Sequence, residues 1–159
     1  MTAPNPALHR IGHKTGLPVS FPLGRQVSTR LAIRIELRWS RYSKLTKART
    51  AFPHQACVYV QADKHGRPVR VGKASKGLDQ RYHGGNGYAM DAAMHESGNL
   101  LFIAPVEEAL CKAVEDELIW QGRRILTYNN QGKREPPLQR VEIAHSGETP
   151  LLSDFDVRV

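Results

Sequence analysis

Acid is nearly missing from the first third of this chain. Residues 1–50 hold ten lysines and arginines against a single acid, Glu36, whereas residues 51–159 hold 13 bases and 14 acids. The excess behind the formal net charge of +8 therefore lies in that first third. Such asymmetry points to a polyanionic partner, of which nucleic acid is the commonest. Long apolar runs are also lacking, and none approaches the roughly 20 residues of a membrane-crossing helix. The first residues carry Pro4 and Pro6 and no apolar core, so a secretory signal is not expected and a cytoplasmic setting is. Cysteine is scarce: Cys57 and Cys111 sit in apolar segments without a CxxC pair, which favours reduced core thiols over a disulfide or metal role. The histidines are scattered, without the spacing of a zinc site. The glycines at 84–87 lack the spacing of a dinucleotide or phosphate-binding loop.

What remains is a globular chain of 159 residues with 40% hydrophobic content, long enough for one domain with a core. Residues 1–28, rich in Pro, Gly, His and Ser, read as an irregular arm. Ile33, Ile35, Leu37 and Trp39 then alternate with Arg34, Glu36 and Arg38, the period of a half-buried strand with one basic face. A basic segment with helical character around residues 42–51 ends at Phe52-Pro53, because proline disfavours helix in the residue before it. Residues 56–62 and 69–72 flank a turn at Asp63-Lys64-His65-Gly66, which predicts a β-hairpin over 56–73. Short helices are expected over 78–82 and 88–96, a loop over 84–87 and a strand over 100–104. The longest helix is expected from 106 to about 126, and a late strand over 138–144.

On these elements lie separated matches in a fixed order: Cys57-Val58-Tyr59, Arg70-Val71-Gly72-Lys73, Arg81, Glu115 and Tyr128-Asn129. Together with the order hairpin, helix, strand, long helix, they resemble the GIY-YIG nuclease superfamily over roughly residues 52–133, about half the chain. The resemblance implies an α+β fold, an α/β sandwich. Its centre is a small antiparallel three-stranded sheet flanked by helices, with an additional basic N-terminal strand and arm. It implies a catalytic core over 51–133, with 1–50 as a nucleic-acid-contacting arm and 134–159 as a C-terminal extension. The activity implied is metal-dependent endonuclease cleavage of phosphodiester bonds, in DNA rather than RNA, by a monomer or homodimer. One Mg²⁺ or Mn²⁺ ion per site is implied.

The resemblance also distributes roles. Tyr59 is the implied general base toward water; with a free pKa near 10, a tyrosine needs nearby positive charge to serve near neutrality. Arg70 and Lys73 on the paired strand are placed to supply it. Arg70 stands where the family has a second tyrosine, so a cation replaces a phenol. Arg81 matches the arginine whose planar fork suits a phosphate. Glu115 matches the metal-binding glutamate. On a helix it shares a face with Cys111, Leu118 and Ile119, where a carboxylate is costly unless it meets a cation. Glu117 and Glu108, reached by a slip of the match, are the alternatives for that role, although each reads better as part of a solvated acidic face. Asn129 matches the late asparagine, with Asn130 as rival, and Tyr82 and His83 rank lower. Arg34, Arg38, Arg41, Lys44 and Lys47 are the expected phosphate-backbone contacts. With Arg70 in place of the phenol, a catalytically inactive nucleic-acid-binding module on the same fold is the alternative.

Overall fold

A computed structural model describes residues 32–82, 98–130, 133–134 and 141–156. The expected arm over 1–28, the loop over 84–87 with His83, and the helix over 88–96 lie outside the described residues. The chain forms β1 (Ile33–Tyr42), α1 (Leu45–Ala51), β2 (Cys57–Ala62), β3 (Pro68–Ala74), α2 (Leu78–Tyr82) and β4 (Leu100–Pro105). A 3₁₀ turn (Glu108–Leu110), α3 (Cys111–Gln121) and β5 (Val141–Gly147) follow. Among the described residues no helix is long and apolar enough to cross a membrane.

The strands make a five-stranded sheet in the order β3-β2-β4-β1-β5. β2 pairs antiparallel with β3 and β4, and β1 antiparallel with β4, while β5 joins β1 in parallel from Ile33↔Val141 to Trp39↔Gly147. The fold is thus mixed α+β as expected, but the sheet has five strands rather than three. β1 is an interior strand paired on both sides. A period-two pattern reports which face is buried and says nothing of how many neighbours a strand has.

β2 shows why the sheet is sandwiched. All six of its residues are buried, the mark of a central strand covered on both faces. Val58 and Val60 pack with Leu37, Trp39, Phe102, Val114 and Leu118 beneath α3. Cys57 and Tyr59 point the other way, into a cluster with Ala48, Leu78, Leu101 and Ile103 beneath α1 and α2. Both cysteines are free and buried, and burial pushes the Cys57 thiol up to about 12. α3 is shorter than the expected span. Val106 is held in line with β4 by its N–H on the Ala56 carbonyl (3.1 Å), and Gly122 closes the helix with its N–H on Leu118 (2.9 Å).

Between β1 and β5 the Trp39 indole N–H donates to His145 Nδ1 at 3.0 Å. That bond requires an unprotonated Nδ1. Burial depresses the pKa of His145 below its ordinary 6.5, so the stabilisation is fully present above that value and is lost as pH falls through the depressed one. In urea unfolding, acidification should cost the wild type about 1 kcal/mol more than it costs His145→Gln. An equal loss in both proteins would clear His145 of responsibility.

Candidate active site at the edge of the sheet

The hairpin turn sets the site's register. Asp63 accepts from the N–H groups of His65 (2.8 Å) and Arg67 (3.0 Å) and from Arg67 Nε (2.8 Å), while Gly66 takes the left-handed φ of 84°. With that turn closed and the pairing shifted by one residue between Gln61 and Ala62, Tyr59 falls opposite Gly72. The phenol ring lies across the glycine so closely that a Cβ built there would collide with Tyr59 Cζ and Oη. Tyr59 has no exposed surface. From the last turn of α2, Arg81 Nε donates to the Tyr59 hydroxyl at 2.9 Å, and the Tyr82 ring packs on Tyr59 at 6.0 Å between centroids.

α3 approaches β3 from the opposite face and carries Glu115. Burial raises the Glu115 pKa, opposed by the positive charges of Lys73, Lys112 and Arg81 and reinforced by Asp116. Residues from both faces of the sheet thus meet around its β3 edge. They line a cleft of about 440 Å³ whose walls include Arg70, Arg81, Glu115, Asn129, Lys112 and Tyr128.

Four of the six expected catalytic residues, Arg70, Arg81, Glu115 and Asn129, are therefore brought to one cleft. Lys73 lines the adjoining hollow together with Arg81, and its Nζ lies 3.3 Å from Ser75 Oγ. Tyr59 sits behind Arg81, enclosed. Asn129 is engaged structurally: its Oδ1 accepts the Val71 N–H at 2.8 Å and its Nδ2 donates to the Val71 carbonyl at 2.9 Å. With the Tyr128 N–H on the Val69 carbonyl (3.0 Å), it closes the outer edge of β3. Asn130 also lines the cleft. Glu117, one alternative to Glu115, is buried rather than solvated and accepts from Gln121 Nε2 at 3.1 Å, and Glu108 lies in the 3₁₀ turn. Sequence reasoning missed Lys112, which pairs on the cleft wall with Asp116, a residue expected on a solvated acidic face; their i,i+4 spacing was the available signal.

The five bases expected to contact nucleic acid do not line this cleft. Arg34 and Arg38 are exposed on β1, three places from β3 in strand order, or about 14 Å at ordinary strand spacing. Arg41 lies 3.6 Å from Glu148, and Lys44 and Lys47 are exposed at the start of α1. Among the described residues no three His, Cys, Asp or Glu side chains converge to hold a metal. A lone carboxylate does suit an ion that keeps most of its water, as Mg²⁺ does. Glu115 is the desolvated carboxylate on the cleft wall that could take such an ion, with water completing its shell. Comparison with family models, with curated proteins and with solved structures finds no match.

Gly72→Ala should destabilise the protein by about 1–3 kcal/mol through overpacking. The loss should shrink when Tyr59 is also truncated to alanine, measured as a double-mutant cycle; additive losses would mean that the two positions do not meet. For Glu115 the folded-state pKa is raised, so its favourable contribution is complete below 4.5 and is lost as pH rises. Without divalent cation, Glu115→Gln should therefore raise Tm at neutral pH by about 2 °C, a gain that fades on acidification. A Tm that falls at neutral pH would contradict the burial argument.

Proposed function

We propose that the edge cleft binds a phosphodiester of DNA and hydrolyses it, as the resemblance to GIY-YIG nucleases implies. The observation that carries this reading is the meeting of Arg81, fixed on Tyr59 at 2.9 Å, with the half-buried Glu115 in one basic cleft. Phosphoryl transfer asks for charge neutralisation and positioning. Arg81 is oriented by the phenol, so its guanidinium is aimed before substrate arrives. Arg70 offers a second cation to the non-bridging oxygens. Lys73 and Arg81 hold Glu115 toward its ionised form despite burial. A divalent ion at Glu115 would polarise a phosphoryl oxygen and acidify its bound water. Tyr59, enclosed beneath Arg81, can take a proton from water only if Arg81 shifts toward the phosphate.

That enclosure, with Arg70 in place of a phenol, also favours a second reading, a module on the same fold that binds DNA without cutting it. Supercoiled plasmid and a branched oligonucleotide separate the two, incubated with and without Mg²⁺ or Mn²⁺. Under the nuclease reading, wild type cuts only with metal, and Glu115→Ala lowers the rate by about 10²-fold or more while binding persists. Binding without cutting by the wild type selects the second reading.

A further inference from the structure

The edge cleft continues into neighbouring hollows. Arg81 on its wall also lines a hollow of about 300 Å³, bounded by Lys73, Ser75, Lys76 and Gln80. Lys76 and Gln80 in turn line a third, of about 690 Å³, that reaches Arg49, His54 and Asp79. Hollows that share lining residues lie side by side, and together they mark out a trough from Glu115 past the β3–α2 turn to the end of α1.

Bases outnumber acids along these walls. Asp79 is paired with Arg49 at 3.1 Å and Asp116 with Lys112. Among the described residues, the other acid on these walls is Glu115, which shares them with Arg70, Arg81, Lys73 and Lys76. The floor is also fixed. The Leu78 and Asp79 N–H groups donate to the Phe52 and Pro53 carbonyls at 3.0 and 3.1 Å. Gly77, at a φ of 90°, is pressed against Pro53 and His54 with no room for a side chain. Lys76 is therefore an exposed cation on a held turn, beside a passage that starts at the proposed phosphodiester site. A chain of regularly spaced phosphates is the ligand that such a row of cations fits.

We infer that this trough carries the phosphate backbone away from the cleft, with Lys76, rather than the β1 arginines, making the next phosphate contact. The inference rests on the proposed function in taking nucleic acid as the ligand, and does not depend on cleavage. Arg34 and Arg38 lie on a strand separated from β3 by β4 and β2, so a backbone following the trough does not pass over them.

The test is binding of a short fluorescein-labelled DNA duplex by the full chain in EDTA, read by anisotropy across about 50–200 mM salt. Lys76→Ala should weaken binding roughly fivefold and flatten the log K against log salt slope by about 0.9, the signature of one lost phosphate contact. Lys76→Glu should weaken binding further, and Arg38→Ala should leave the slope unchanged. An unchanged slope in both Lys76 variants overturns the trough, as does an equal change in Arg38→Ala or a wild type that does not bind the duplex. Since EDTA removes cleavage from the readout, a Lys76 effect without metal-dependent cutting keeps the trough and rejects the nuclease. Cutting without a Lys76 effect does the reverse.

Discussion

An aromatic ring can lie flat across a neighbouring strand only where that strand carries no side chain. The contact between Tyr59 and Gly72 is of this kind, and the site's geometry depends on it. Because the ring is laid over β3, its hydroxyl reaches toward the sheet edge and meets Arg81 at 2.9 Å. Because β3 is bare at Gly72, the strand is thin there, and groups from α2 on one face and α3 on the other approach the same edge. A larger residue at 72 would turn the ring away and leave Arg81 without its orienting acceptor. The packing constraint and the chemical one are the same contact.

The edge itself raises a second problem. β3 is the terminal strand of its side of the sheet, and its outward N–H and C=O groups invite pairing with another chain. The segment after α3 closes it: Tyr128 bonds to Val69, and the Asn129 amide takes both the N–H and the C=O of Val71. An asparagine side chain presents one donor and one acceptor in a plane, much as a peptide does, so it substitutes for a strand partner at one residue. Two such bonds are worth about 1–3 kcal/mol together. In closing the edge they also place Tyr128 and Asn130 on the cleft wall. The asparagine thus shapes the site by holding backbone.

Much of this was legible in the chain, for identifiable reasons. The hairpin was readable because its turn chemistry is local: Asp63 and Gly66 announce it. β4 and the short helix over 78–82 were likewise marked by local composition, whereas the helix expected over 88–96 falls outside the described residues. The β-branched and aromatic run Val58-Tyr59-Val60 announced a strand, and the burial of β2 on both faces follows from the layers that cover it. What was hidden is pairing at a distance. Nothing in the alternation of β1 says that it lies between β4 and β5, because those hydrogen bonds involve only backbone. The engagement of Asn129 with Val71, 58 residues away, was hidden for the same reason. Residue type located the cleft's charged groups; only the register of β3 shows which of them meet.

The electrostatics of the cleft connect its parts. Glu115 is desolvated enough to resist ionisation, and the cations around it act against that resistance. Remove the cations and the carboxylate pKa would rise further; remove the carboxylate and the cations lose the negative charge among them. Under the proposed function, a bound phosphate alters both terms. It offsets the charge of Arg81, one of the cations that oppose the rise in the Glu115 pKa. A divalent ion restores the balance. Phosphate and cation should then bind with positive coupling, each raising the affinity of the other by the same factor. Under the proposed function, a single-carboxylate site would gain from this arrangement: it would not need to hold its ion tightly in the empty cleft, because the substrate's own oxygens would supply the rest of the negative charge.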